Sequence, residues 1–157
     1  MPVDAGASRD GVVFQRERYA KGGLGRRYWD YRDDRILGAL GDARRVLDVG
    51  CGEGLLLEKA IRRFPGREIE GVDLDPLNVR ICREHGLPVR EAAGGALPYP
   101  DASFDACLFI EVIEHLPEPE AALRELARVL RPGGRLLVLF PNDRTFFLAR
   151  LALGMWK

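Results

Sequence analysis

The chain has 157 residues, enough for one domain with a hydrophobic core of its own. Hydrophobic residues make up 46% and charged residues 31%, a composition that excludes wholesale disorder. Lysine plus arginine equals aspartate plus glutamate, 24 against 24, which disfavours a nucleic-acid partner. The three cysteines lie far apart, and we find neither a signal-peptide core nor an apolar run of transmembrane length. We therefore expect reduced thiols, no transmembrane span and a cytoplasmic protein.

Residues 1–41 precede the regular part of the chain. We expect a flexible segment followed by a lid helix, because Tyr28 to Leu40 carries a loose helical stripe of apolar residues. This stripe follows a stretch that is rich in arginine and aromatic residues.

From residue 42 onward, short apolar runs alternate with helical patterns. The runs predict strands at residues 45–49, 68–73, 104–110 and 135–140, with a weaker strand at 87–91. The patterns predict helices at 55–64, 76–86 and 118–130, with Asp75 as an N-cap before Pro76. Apolar strands that alternate with helices indicate an α/β fold with a doubly wound parallel sheet over residues 42–142. Such sheets bind ligands at the carboxyl ends of their strands.

The first predicted strand ends in a glycine-rich loop. Gly50, Gly52 and Gly54 allow a sharp turn and a close approach of the backbone to a ligand, just before a helix with free N–H groups. This pattern favours a nucleotide-like ligand over a turn that merely needs glycine. Asp73 ends the second strand roughly 20 residues after Gly50, where a carboxylate accepts hydrogen bonds from ribose hydroxyls. Because Asp75 fits the helix cap better, Asp73 is left for the ligand.

The spacing and charge of the loop separate two classes of cofactor. A dinucleotide site prefers G-x-G-x-x-G, whereas Leu55 stands at the third glycine's place here and Gly54 comes one residue early. Asp48 stands two residues before the first glycine, where it would repel a pyrophosphate and attract an ammonium group. S-adenosylmethionine carries an α-amino group and a sulfonium and has no phosphate, so the electrostatics favour it.

These segments resemble a known family. Residues 48–54 and 71–76 are similar to motifs I and II of the class I S-adenosylmethionine-dependent methyltransferases, and residues 97–105, 111–116 and 130–134 continue the resemblance. It covers roughly residues 44–142 and implies a Rossmann-like sheet with strand order 3-2-1-4-5.

The resemblance also implies which residues meet the cofactor. The backbone of Gly50, Cys51 and Gly52 would contact the methionine part, Asp73 the ribose and Leu74 the adenine, and the main chain near Ile110 and Glu111 would receive the amino group. Many relatives carry an acidic residue after the third strand, whereas residues 92–96 have no carboxylate. Around Gly94, adenine would therefore meet backbone groups.

The string Glu111-x-x-Glu114-His115 follows the fourth strand at the mouth of the site. It is either a polar loop that caps neighbouring backbone groups, a general base at His115, or a site for Mg²⁺ or Mn²⁺ built from two carboxylates and an imidazole. Similar strings occur in quinone-biosynthesis O-methyltransferases and in small-RNA 2′-O-methyltransferases, where the resemblance implies a metal. The RNA enzymes require a further histidine, and none follows His115.

We therefore expect a methyltransferase that uses S-adenosylmethionine and acts on a small-molecule, hydroxyl-bearing acceptor. The alternatives are a metal-assisted RNA 2′-O-methyltransferase and a non-catalytic S-adenosylmethionine-binding module or fragment. Family members usually continue with two strands past the fifth, whereas residues 143–157 are an apolar, helix-prone tail. We expect a truncated sheet whose fifth strand is an edge, covered by this tail or by a second copy in a homodimer.

Overall fold

Five parallel strands form one sheet in the computed structural model, which describes residues 15–140. The elements in chain order are α1 Gln15–Ala20, α2 Gly23–Ala39, β1 Arg45–Val49, α3 Leu55–Arg63, β2 Glu68–Asp73, α4 Pro76–Glu84, β3 Val89–Glu91, β4 Phe104–Ile110, a 3₁₀ turn Ile113–His115, α5 Pro119–Val129 and β5 Leu130–Leu139. The strand order β3-β2-β1-β4-β5 confirms the predicted doubly wound topology.

Strand β1 lies at the centre of the sheet. Val46 pairs with Ile69 of β2 on one side and with Ala106 of β4 on the other. The strand order reverses between β1 and β4, so the carboxyl ends of these two strands flank the crevice in which such folds bind ligands.

Two apolar clusters cover the two faces of the sheet. One joins Val46 to side chains of α2, α3 and α4, among them Leu37 and Leu57. The other joins Leu47 to α5 through residues such as Leu126. Alternate β1 residues enter opposite clusters because side chains alternate across a strand. This double cover explains why the strands read as nearly continuous apolar runs.

Helix α4 begins as the sequence predicts. The Asp75 side chain accepts a hydrogen bond from Leu77 N at 3.0 Å, and Pro76 occupies the first turn. The N-terminal region differs, because a separate helix α1 precedes α2 and α2 begins at Gly23, five residues before Tyr28. Residues 1–14 and 141–157, including the predicted flexible start and the apolar tail, lie outside the described residues.

The start of β5 also differs from the prediction. The predicted helix ends at residue 130 and the predicted strand begins at residue 135, but β5 already begins at Leu130 and includes Pro132 and the two glycines after it. Phe104 pairs with Leu130 and Ala106 pairs with Arg135, so the extra residues form an irregularity in the strand.

The three cysteines are buried and free, as expected for reduced thiols. None of the helices between residues 15 and 140 has the length and apolar character that a bilayer crossing requires.

Candidate functional site

A cavity of about 410 Å³ lies at the carboxyl ends of β1 and β4. The residues that line it are Gln15, Trp29, Arg32, Asp33, Asp48, Gly50, Cys51, Gly52, Leu55, Leu56, Ile110, Glu111, Glu114 and His115. The structure thus brings the glycine loop together with the residues predicted after the fourth strand. Asp73, Leu74 and Gly94 do not line this cavity.

The glycine loop adopts a backbone conformation that only glycine accepts easily. Gly50 has φ +75° and Gly52 has φ +56°. A Cβ atom on Gly50 would also lie 2.5 Å from Val112 Cγ2. At this position the glycine is therefore required both by backbone conformation and by space.

The loop is tied to the end of β2 through its own amides. The N–H groups of Gly50 and Cys51 donate to Val72 O at 2.8 and 3.1 Å. The N–H of Gly52 donates to Asp73 Oδ2 at 2.7 Å. The N–H groups of these three amides therefore already have acceptors within the protein and are not free to donate to a ligand.

Asp73 organises the loop, a role that comes in addition to the ribose contact predicted for its carboxylate. Besides Gly52, its carboxylate accepts hydrogen bonds from Asp75 N at 2.9 Å and from Asn78 Nδ2 at 3.1 Å. A carboxylate has about four acceptor positions, so roughly one remains for a ribose hydroxyl. The neighbouring Leu74 is 68% exposed and offers an apolar surface beside it.

Asp48 is the electrostatic centre of the cavity. The residue is only 3% exposed, and its Oδ2 atom has no hydrogen-bond partner within the described protein. Burial, together with the carboxylates of Asp73 and Asp33, raises the pKa of Asp48 to about 7. A buried, unpartnered carboxylate oxygen favours a ligand that brings a cation or a hydrogen-bond donor.

Helix α2 contributes a charged pair that the sequence analysis missed. Arg32 donates to Asp33 Oδ1 through Nε and Nη2 at 3.0 and 2.9 Å, and its Nη1 lies 3.0 Å from Glu111 Oε2. Lys59 of α3 donates to Asp33 Oδ2 at 2.8 Å. Burial opposes the charge of Arg32, but Asp33 and Glu111 raise its pKa. The arginine-rich stretch was a signal, but its spacing could not identify which arginine points inward.

Glu111 joins α2 and β5 to the cavity wall. Its backbone is left-handed, with φ +56°, which is unusual for a residue other than glycine. Its N–H donates to Leu139 O at 2.6 Å, while its carboxylate pairs with Arg32. These two contacts hold the strained residue in place at the mouth of the cavity.

Glu114 and His115 lie on the 3₁₀ turn and are exposed at the rim. The His115 N–H donates to Val112 O at 3.0 Å, so the backbone of the turn is internally satisfied. Among residues 15–140, no three side chains of the His, Cys, Asp and Glu types lie close enough together to hold a metal ion. Glu111, Glu114 and His115 are thus not brought together as a ligand set in the described part of the chain.

Cys51 is one of the residues that line the cavity. A hydrogen bond with Cys82, together with burial, raises the pKa of the Cys51 thiol, which keeps it protonated. The structure thus gives Cys51 no role as a nucleophile.

Comparisons with known proteins agree with this geometry. A family model described as "Methyltransferase domain" matches residues 47–138. The chain is 37% identical over 117 residues to a ubiquinone biosynthesis O-methyltransferase of Xanthomonas oryzae pv. oryzae, covering 70% of this chain and 48% of the relative. It is 44% identical over 105 residues to a demethylmenaquinone methyltransferase of Thermus thermophilus, covering 62% and 48%. The chain thus spans about half the length of the relatives it matches.

A solved structure extends the likeness to the fold. The [4+2]-cyclase SpnF superposes with a TM-score of 0.63 at 34% identity, over 69% of this chain and 43% of that one. The model match covers more than half of the chain and includes β1, the glycine loop, β4 and most of β5. The chain belongs to the methyltransferase domain family.

Proposed function

We propose that this chain binds S-adenosylmethionine in the cavity and transfers its methyl group to a hydroxyl-bearing small molecule. The observation that carries the proposal is the unpartnered Oδ2 atom of buried Asp48, in β1 just before the glycine loop. The α-ammonium group of the cofactor supplies the cation that this oxygen lacks.

The amino-acid end of the cofactor matches the charges around Asp48. Of the described residues that line the cavity, Arg32 is the only lysine or arginine. A guanidinium has five N–H donors, and the contacts to Asp33 and Glu111 leave donors free for a carboxylate. Asp48 and Arg32 together therefore suit a ligand that ends in both an ammonium and a carboxylate.

The same features argue against a dinucleotide. A pyrophosphate binds where several backbone N–H groups are free to donate to it. The amides of Gly50, Cys51 and Gly52 are already engaged by Val72 and Asp73. A second negative group beside Asp48 would also be repelled.

In the proposed reaction, an oxygen lone pair of the acceptor forms a bond to the methyl carbon. The carbon–sulfur bond breaks and its electron pair goes to sulfur, which leaves S-adenosylhomocysteine. The hydroxyl proton goes to a base, and His115 at the rim is the residue we assign to this role. The protein's main contributions are alignment of the two reactants and exclusion of water.

Three features support a small acceptor. The relatives' names include O-methyltransferases of quinone biosynthesis. The cavity of about 410 Å³ lies in the range of small-ligand sites, and the chain's balanced charge offers no broad basic surface. The RNA alternative loses further support because its metal ligand set is not assembled among the described residues.

The test measures binding first and turnover second. Calorimetry should detect binding of S-adenosylhomocysteine and no binding of NAD⁺. Transfer of label from methyl-labelled S-adenosylmethionine to catechol-type acceptors should then proceed equally with EDTA and with Mg²⁺. Tight NAD⁺ binding without S-adenosylhomocysteine binding would overturn the cofactor assignment.

A second candidate function is a cofactor-binding module without methyl transfer. It is favoured by the likeness to SpnF, which is described as a cyclase, and by the chain's span of about half of its relatives. Binding of S-adenosylhomocysteine with no transfer to any hydroxyl acceptor would support this alternative.

A further inference from the structure

Helix α1 is attached to the glycine loop almost entirely by polar contacts. None of its six residues is buried, so little apolar area holds it against the rest of the protein. Its first residue, Gln15, nevertheless lines the cavity. The Gln15 side-chain oxygen lies 3.4 Å from where a Cβ of Gly52 would be, so α1 covers one face of the loop.

Glu53 supplies the main attachment. This residue stands inside the loop, is only 5% exposed, and turns its carboxylate toward the start of α1. Gln15 N donates to Glu53 Oε1 at 2.7 Å, and Arg16 N donates to Oε2 at 2.8 Å. The first N–H groups of a helix have no partners within it, and one carboxylate satisfies two of them here.

The Arg16 side chain strengthens the same junction. Its Nε donates to Glu53 O at 2.8 Å, and its Nη1 donates to Glu58 Oε2 on α3 at 2.8 Å. The backbone and side chain of Glu53 are therefore both bound by α1. Without these contacts, the remaining attachment of α1 would be Tyr19 near its other end, which stacks on Trp29 and donates to Asp30 Oδ1.

We propose that Glu53 is a positioning residue that fastens α1 over the glycine loop and thereby slows release of the cofactor. The inference rests on the proposed function, since it assigns the residue that closes the same site. Glu53 acts through Gln15 and α1 and does not itself line the cavity.

The experiment compares Glu53→Ala and Glu53→Gln with the wild-type chain and with Glu68→Gln as a matched control. Glu68 begins β2, is 77% exposed and pairs with Arg45 away from α1. In the unliganded protein, hydrogen exchange at residues 15–20 should accelerate in Glu53→Ala while β1 and β4 stay protected. Glu53→Gln should be intermediate, because its one carbonyl oxygen can satisfy only one of the two amides.

The second measurement is the dissociation rate of S-adenosylhomocysteine by stopped flow. Glu53→Ala should release it about tenfold faster, with KM for S-adenosylmethionine raised and kcat nearly unchanged at saturation. Unchanged exchange at residues 15–20 together with an unchanged release rate, in Glu53→Ala or in Glu53→Gln if the alanine variant does not fold, would overturn the proposal. If the wild-type chain binds no S-adenosylhomocysteine, the proposed function fails, while the exchange data still report on the attachment of α1.

Discussion

The Asp48 carboxyl holds a proton at pH values where most carboxyls have lost theirs. Burial and two neighbouring carboxylates raise its pKa to about 7, against 3.8 for an unperturbed group. Between these values the folded state binds a proton that the unfolded chain does not, so stability falls as pH rises from about 4 to about 7 and then levels off. The total effect is at most roughly 4 kcal/mol.

We therefore predict that Asp48→Asn stabilises the unliganded protein by an amount that grows across this pH range. The asparagine removes the cost of ionising a buried group, so the gain in the free energy of unfolding should be largest above pH 7. Denaturant unfolding from pH 4 to 9 measures it, with the 94%-exposed Asp42→Asn as the control. A gain that is equal at all pH values would show that Asp48 does not titrate in this range.

The same variant should bind S-adenosylhomocysteine more weakly, because it lacks the charge that pairs with the ammonium group. In the wild-type protein, binding near pH 6 should release a proton from Asp48. Calorimetry in buffers with different ionisation enthalpies detects that release. Stability and binding should thus change in opposite directions at this one residue.

His115 carries the prediction for the acceptor end of the site. His115→Ala should lower turnover by ~10²–10⁴-fold, the usual contribution of a general base, with affinity for S-adenosylhomocysteine nearly unchanged. Exposure at the rim makes a large loss of stability unexpected. If activity and thermal stability fall together, His115 has a structural role.

At the scale of elements, the strands and the glycine loop could be predicted because their signals are local. Apolar runs, glycine spacing and the cap at Asp75 are visible within a few residues of sequence. The contacts of Glu53 with Gln15 and Arg16 join residues 38 and 37 positions apart, and nothing local marks them. The same reason explains why the hydrogen bond from Gly52 to Asp73 was not predicted: the two residues lie 21 positions apart.

Asp105 connects three elements and supports a prediction about stability. Its Oδ2 accepts a hydrogen bond from the N–H of Arg44, just before β1, at 2.7 Å. The same oxygen accepts a second one from the N–H of Arg45, the first residue of β1, at 3.1 Å. Its Oδ1 lies 2.9 Å from Arg131 Nη1 in β5. Burial raises the pKa of Asp105, but these donors outweigh it and hold the pKa below its usual value.

We expect Asp105→Ala to lower the free energy of unfolding at pH 7 by about 1.5–3 kcal/mol, the scale of hydrogen bonds to a charged group. A lowered pKa contributes stability above the unfolded value, and this contribution is lost as pH falls through the folded value. The difference from wild type should therefore shrink in acid. If the difference in the free energy of unfolding stays the same at the lowest pH that still allows folding, the negative charge of Asp105 is not what stabilises the protein.

At the scale of the whole molecule, β5 is one of the two edges of the described sheet. It pairs with β4 alone, and Leu136, Val138 and Phe140 are 37%, 38% and 61% exposed. An apolar edge of this kind invites pairing with another chain unless something covers it. We propose that residues 143–157 or a second copy of the chain provide this cover.

Removal of residues 143–157 should therefore promote self-association if they form the cover. A Val138→Lys change in the truncated chain should reverse it, since charge at an edge opposes pairing. Light scattering across a range of concentrations measures both effects. A dimer of residues 1–157 that persists after truncation would assign the cover to the second copy, and a monomer in every form would show that the edge needs no cover.

The placement of Asp48 and Arg32 has a consequence for how the proposed reaction responds to its own product. Both residues are assigned to the amino-acid end of the ligand, and this end is identical before and after the methyl group leaves. Interactions that are equal for reactant and product do not favour product release. S-adenosylhomocysteine should then compete strongly for the site. The rate would therefore follow the ratio of S-adenosylmethionine to S-adenosylhomocysteine more than the concentration of either one.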